Sequence, residues 1–510
     1  MTNPLYLVEL TAAIDAAGTT QTFYFGSHGF VTEPTDTPAN TVYLPRLKRS
    51  ASAVRQMFSG TRTFGQSRVG FGEIVIGNLD GELDDLVSYS FDNRAVVLRA
   101  GQVGDAFSDL TVVLRATAKQ VQFSNREIVV SLKDRLAELD KPHLSTVYAG
   151  SNSLPAGVEG LDDLKGKYKP RVYGKVFNIP APCVNTSRNI YQVSDSAIST
   201  VDTVYKSGVA LTRENPDYTS QADMESNTPS SAAYYRVWPA GGMFRLGTTP
   251  TGLVTADVTA GAAAGNRTVA QVLQSMAINA GISSGDISSA DVTALDTAQT
   301  AVVGLWVNDG STTLQIMDRM ANGLGVYYQF DATGDLRMGQ LAAPSGTAVA
   351  TIRQWNTQSL ERVMTGDGLP TWRVQLKHSR YETTQTAGID AVSADRRSDV
   401  AQQYRTVVAE DAAIKTQWLA AQTLERESLL TSASDAATEA ARVLALYKVQ
   451  RHVYLARGVQ LSATQIRSID LNSVVSVEWD RFGLDAGVLM RVISISADYV
   501  RNVADITLWH

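Results

Sequence analysis

Cysteine is almost absent from this chain: 510 residues contain one, Cys183. A lone thiol closes no intrachain disulfide and cannot supply an all-cysteine zinc or iron–sulfur site within one subunit. It fits folding in a reducing, cytosolic place. Histidine is scarce too, with His28, His143, His378, His452 and His510 as the full set. No two of them stand at a metal-ligand spacing such as i,i+4 on a helix. His378, between Lys377 and Ser379 in an apparent strand, reads as solvated. No apolar run approaches the roughly 18 residues that a membrane helix needs. Met1-Thr2-Asn3-Pro4 lacks the basic-then-apolar order of a signal peptide, so a chain that enters no membrane by itself is expected. An excess of one charge is also missing. Lys and Arg number 45 against 51 Asp and Glu, a net charge of −6, and the pI is near 5.5. No global basic field exists to gather nucleic acid or anionic lipid.

The familiar catalytic patterns are missing as well. Gly160-Leu-Asp-Asp-Leu-Lys-Gly166-Lys167 has one residue too many between its glycines for a phosphate loop, and Tyr168 replaces the magnesium-binding hydroxyl. Gly70 and Gly72 lack the third glycine and following helix of a dinucleotide site. No G-x-S-x-G elbow occurs. Asn78, Asp80, Glu82 and Asp84 alternate as calcium ligands would, but Gly81 comes too early and no Glu closes the loop at its twelfth position. A hairpin turn with a solvated acidic loop is the better reading. Asp84-Asp85 and Asp162-Asp163 are adjacent, whereas glycosidic acid–base pairs must face each other across a cleft. The expectation is a chain that is not an enzyme, with no catalytic residues, no bound metal and no cofactor.

What is present describes a folded, multidomain protein. Apolar residues make up 44% and charged residues 19%, and the length exceeds what one core supports. Residues 21–25, 68–76 and 94–99 are β-branched or aromatic runs bounded by Gly, Asp or Asn. A hairpin runs from Leu110 through the turn Ser124-Asn125 to Leu132, followed by a short helix from Lys133 to Leu139. Residues 1–145 therefore read as an N-terminal β-barrel-like domain, and 146–255 as a β-rich connection with long loops. The stretch 256–345 reads as a small α+β domain. In it Val269, Val272, Leu273 and Met276 recur at helical spacing before Gly281, and a second helix through Leu314, Met317 and Met320 leads into strands around Tyr327 and Leu336. Residues 346–510 read as a C-terminal β-barrel-like domain with an inserted helix at 435–449. On that helix Ala436, Ala440, Val443 and Tyr447 share the buried stripe, while Glu439, Arg442 and Lys448 point away. The fold class is mainly β with an α+β middle and two barrel-like units near the ends. Leu114 to Leu132 and Met490 to Leu508 align without a gap, matching Arg115 with Arg491, Phe123 with Tyr499 and Leu132 with Leu508. Any two hairpins share some of this pattern, and a duplicated unit would give it too.

The strongest charge feature is basic: Arg46, Lys48, Arg49, Arg55, Arg62 and Arg68. It reads as a patch for an acidic partner subunit or as an edge strand blunted by Lys and Arg, with DNA phosphates the weaker alternative. Seven tryptophans and nineteen tyrosines in a chain without catalytic motifs point to packing and interfaces. Trp509, one residue from the end, is expected to be held in a sheet or against a neighbour, since free ends fray.

Three stretches resemble a known family. They are Gly70 to Asp84 continuing to Arg94 and Leu98-Arg99; Lys169-Pro-Arg-Val-Tyr-Gly174 through Pro180, Tyr191 to Ser194 and Val201 to Leu211; and Ala440 to Trp509 with Arg481-Phe-Gly-Leu484. Together they resemble baseplate hub or tail-tip structural proteins of long-tailed, siphovirus-type bacteriophages. The resemblance implies a homotrimeric hub with two similar β-barrels per chain, so that three chains form a pseudo-sixfold ring. Such a ring joins a sixfold tail tube to a threefold central spike or fibre and caps or lines the DNA conduit. Implied partners are copies of itself, a distal tail or tube ring, the tape measure protein and the spike or fibre, with phage DNA only in transit. The implied place is the virion tail tip, after folding and assembly in the host bacterial cytoplasm. A distal tail ring protein and a carbohydrate-binding tail or surface protein are the alternatives. The basic residues from Arg46 to Arg68 are expected to face a protein neighbour, and the channel to be neutral or acidic.

Overall fold

The computed structural model describes residues 4–50, 52–58, 71–133, 135–363, 369–389, 391–498 and 502–510. Arg62 and Arg68 lie outside the described residues, as does Tyr499. The fold is mainly β and multidomain, with the α+β unit in the middle.

The strand Pro4–Ala13 shows how the N-terminal part is built. Its side chains alternate between two apolar environments, as the two-residue period of a strand requires. Tyr6, Val8, Leu10 and Ala12 enter the main core, while Leu5 and Leu7 join Tyr43, Phe107 and Leu110 in a smaller cluster on the other face. The strand pairs antiparallel with Thr20–Gly26 on one edge and Ala95–Gln102 on the other. The sheet continues through Thr111–Phe123, Glu127–Lys133, Phe71–Gly77 and Ser52–Gln56.

At Ser52–Gln56 the two ends of the sequence meet. This strand pairs antiparallel with the last part of Leu484–Asp498, in register from Ser494↔Gln56 to Asp498↔Ser52. The same long strand uses its first part to pair with Val474–Trp479. The sheet then runs on through Val503–Trp509, Val453–Gln460 and Ser359–Val363. The terminal strand units thus share one 14-stranded sheet, and a single apolar core runs from Tyr6 and Ile76 to Ile506 and Trp509.

The hairpin of Thr111–Phe123 with Glu127–Lys133 and that of Leu484–Asp498 with Val503–Trp509 share several features. Each carries one β-bulge, lying between Ser131 and Leu132 in the first and, in the second, between Val492 and Ser494. Ile128, Val130 and Leu132 are buried in one second strand, and Ala504, Ile506 and Leu508 in the other. The C-terminal arms are one residue longer, since Phe123 pairs with Ile128 but Asp498 with Val503. The ungapped match is therefore in step along the second strands and one residue out at the turn. Arg115 is exposed, whereas Arg491 is buried and donates to the carbonyls of Ala342, Ala343 and Asn472.

The connecting part consists of two five-stranded sheets around Val176, Val201, Tyr235, Phe244 and Ala256. The strand Val254–Thr259 is paired on both edges and is followed by the loop into the next helix. Strands approach closely here: a Cβ on Gly304 would lie 1.6 Å from the Lys175 carbonyl oxygen, so only glycine fits.

In the α+β part, the helix Val269–Asn279 is capped by Thr268, whose side chain accepts from the Gln271 amide. Gly281 follows at φ +94°, as expected for the left-handed residue past a helix end. Helix Thr313–Asn322 begins with a reciprocal Thr312/Gln315 capping box. The helix Ala433–Tyr447 packs Ala436, Ala440, Val443 and Leu444 into this same core. It also packs against the three-stranded sheet centred on Thr371–His378. Near its end Leu446 enters the main core instead, so the helix packs against both cores. Two side chains depart from expectation. Glu439 does not point to solvent; it is 2% exposed and accepts from Arg442 and from Gln299 Nε2 at 3.1 Å. His378 is not solvated but buried, with Nδ1 2.9 Å from Ser379 Oγ.

Candidate assembly surface

Arg46, Lys48 and Arg49 lie on and beside the short strand Leu47–Arg49, which pairs with Phe71–Gly77, and the chain's own carboxylates already meet them. Arg46 forks onto Asp80, with both N–O distances 2.7 Å, and also reaches Glu82. This guanidinium pulls the Asp80 carboxyl down to about 2. The acidic loop that alternates like a calcium site is thus an arginine acceptor, and Asn78 ties its far side by accepting from the Leu83 amide and donating to Asp84. Lys48 pairs with Glu127 at 3.0 Å and Arg49 with Glu73, both on the exposed edge. Beside them a shallow hollow of about 430 Å³ is walled by Leu44, Leu47 and Leu79, of which Leu79 is 71% exposed.

Arg55 and Trp509 have a different setting, inside the chain. Arg55, on Ser52–Gln56, donates to Asp470 at 2.5 Å. Trp509 is buried in the main core, and the Arg451 guanidinium sits 4.7 Å from its ring centre. Its backbone is paired on both sides, with Val453 and with Arg491. Trp509 is thus held in a sheet, and the sheet is the chain's own. Asp470, the partner that positions Arg55, had no signal in the sequence, because 415 residues separate the two.

Among the described residues, no group of three or more His, Cys, Asp or Glu is placed to hold a metal ion. No helix among them is long and apolar enough to cross a membrane. His143 is the most perturbed histidine. Its Nε2 lies 2.6 Å from Tyr173 Oη and its Nδ1 3.1 Å from Thr313 Oγ1, and Asn279 Nδ2 also donates to that phenol oxygen. Burial, reinforced by Arg171 and opposed by Asp195, pushes His143 down to about 4. A neutral imidazole here bridges the loop after the N-terminal strand unit to the α+β core. Because its folded-state value lies below the unfolded one, the unfolded chain takes up the proton first as pH falls. Stability from this site is intact above about pH 6.5 and is lost toward pH 4. Between pH 7 and pH 5 the wild type should lose about 1–2 kcal/mol more than a His143→Gln variant. Urea unfolding midpoints at the two pH values check this, and equal losses in both proteins would refute it.

Neither a protein-family model nor a curated protein sequence matches the chain. Solved structures similar to it include three tail proteins, two of them from prophages. A tail protein from Neisseria meningitidis is 10% identical at a TM-score of 0.41, over 100% of this chain and 97% of its own. The 43 kDa tail protein of prophage MuSo2 from Shewanella oneidensis is 11% identical at 0.39, over 92% of this chain and 94% of its own. A prophage tail protein from Listeria monocytogenes is 9% identical at 0.41, over 93% of each chain.

Proposed function

We propose that this chain is a structural baseplate hub subunit of a phage-type tail tip, without catalytic activity of its own. Three copies form a ring that joins a sixfold tail tube to a threefold spike or fibre and caps or lines the DNA conduit. The observation that carries this reading is the joining of the two ends. Two strands more than 400 residues apart in sequence, Ser52–Gln56 and Leu484–Asp498, join the terminal strand units in one sheet. Each unit contains a bulged hairpin, with matching burial along its second strand. One chain thereby offers two similar strand units side by side, the arrangement that three subunits need to approximate sixfold symmetry. Partners in this reading are the tube or distal tail ring, the tape measure protein and the spike or fibre. DNA passes without being held, and the subunit resides in the virion after assembly in the host cytoplasm. Lys48 and Arg49, beside exposed Leu79, form the face offered to the next ring. Their ion pairs are exposed and worth little within the chain, so exchange for a neighbour's carboxylates is inexpensive.

The reading predicts a trimer, alone or within a tail particle, held by interfaces of about 2,000–5,000 Å². Mass by light scattering together with particle images tests it. A twofold or sixfold arrangement in the particle would overturn it, as would turnover of peptidoglycan, polysaccharide or nucleotides by the pure protein.

A further inference from the structure

A cleft of about 540 Å³ opens where the three-stranded sheet ends against the helix Thr313–Asn322. Arg319 comes from the last turn of that helix. Arg380 lies just past Thr371–His378, Tyr404 just before Arg405–Glu410, and Arg426 and Ser428 at the end of Gln422–Glu427. No two of the three arginines are within 40 positions of each other in the sequence, so the fold alone assembles them.

The charge count in this cleft is positive, in a chain whose total is −6. Glu427 is the one carboxylate in its lining, and Lys377 Nζ engages it at 2.8 Å. Glu382 lies 3.4 Å from Arg380 and is itself buried. Burial pushes that carboxyl up, against the pull of Arg380 and Arg319. The arginines are graded in depth. Arg319 is exposed at the mouth and Arg380 half-buried, and Arg426 is 7% exposed at the base, 5.7 Å from the Tyr447 ring centre. The Arg380 Nε is buried without a hydrogen-bond partner. Like charges gathered in a partly dry cleft repel, and an entering oxyanion relieves that repulsion while offering the Arg380 Nε an acceptor. The helix-end carbonyls beyond Asn322 oppose an anion, and Arg319 in the same turn offsets them.

We infer that this cleft binds an acidic segment of another protein, its carboxylates pairing with Arg319, Arg380 and Arg426. The guanidinium fork matches a carboxylate in a two-point geometry. The Tyr404 ring provides an apolar wall for the side-chain stem, and Ser428 a hydroxyl for the peptide. A free phosphate at the base would leave Arg319 at the mouth unused. Duplex DNA presents its phosphates on a convex surface, out of reach of Arg426. The inference rests on the cleft itself and not on the tail-tip reading.

Fluorescence anisotropy of a labelled hexaglutamate peptide with the full chain tests it. Saturable binding that weakens with salt is expected. Arg319→Glu should reduce affinity at least about tenfold, and Arg380→Gln by a smaller factor. Arg457→Glu, an equally exposed reversal on Val453–Gln460, should leave affinity unchanged. Absence of binding, or equal affinity in Arg319→Glu, would overturn the proposal. So would displacement of the peptide by an equal concentration of inorganic phosphate or of duplex DNA.

Discussion

Replacing Arg55 by Ala is expected to destabilise the protein by about 2–4 kcal/mol, a large effect for a residue that reads as part of a surface patch. Arg55 has 7% of its side chain exposed and donates to Asp470, which is 28% exposed. The cost arises because removing one partner strands the other charge in a poorly solvated place. Partial exposure of Asp470 keeps the figure at the lower end of what a fully buried pair shows. The position magnifies the consequence. Only five register pairs join Ser52–Gln56 to Leu484–Asp498, and Arg55 is one of them, opposite Ile495. The Ser494 hydroxyl also donates to the Arg55 carbonyl at 3.1 Å. Loosening this contact should separate the terminal strand units before either unfolds, exposing the core between them. A double-mutant cycle with Asp470→Ala measures the coupling by urea unfolding and protease susceptibility. Strict additivity of the two single variants, or an Arg55→Ala protein as resistant as wild type, would refute the role assigned to the pair.

The Arg55–Asp470 contact is specified by the tertiary fold and not by local sequence. Alternation and turn chemistry locate Thr20–Gly26, Ala95–Gln102, Thr111–Phe123 and Glu127–Lys133, because each pairs with a near neighbour in sequence or shows a clear two-residue period. Capping and glycine placement locate Val269–Asn279 and Thr313–Asn322 for the same local reasons. The helix Ser289–Ala298 escapes because only Val292 and Leu295 are buried on it, too few for a stripe. Gln422–Glu427 escapes because its sequence, Gln-Thr-Leu-Glu-Arg-Glu, is dominated by charge, and one of those charges, Arg426, is buried. The basic stretch is legible as a cluster, but its partners are not. Asp80, Glu82, Glu127 and Glu73 lie 24 to 79 positions away, on strands whose register local sequence does not fix. The buried states of Glu439 and His378 have the same origin: tertiary packing covers both. The three arginines of the cleft are the extreme case, since nothing local links position 319 to 380 or 426.

Trp509→Ala is expected to cost about 3–5 kcal/mol in the isolated subunit. Trp509 is 1% exposed and among the largest fully buried side chains of the chain. Its removal leaves a cavity in the core it shares with Val453 and Met490, and the Arg451 guanidinium loses its aromatic partner. The last strand is bound on both edges, and His452 and His510 exchange both backbone hydrogen bonds, at 2.8 and 2.9 Å. A frayed end therefore opens the sheet between Val453–Gln460 and Leu484–Asp498 and not a mere tail. Trp509→Phe, which keeps an aromatic ring in the same space, should retain most of the stability. The measurement also separates two roles for this residue. A tryptophan reserved for a neighbouring subunit would leave the isolated chain as stable after truncation and weaken only assembly. A core tryptophan lowers the urea midpoint of the isolated chain, and any loss of assembly follows from that. An unchanged midpoint with lost assembly would return Trp509 to the interface and overturn its place in the core.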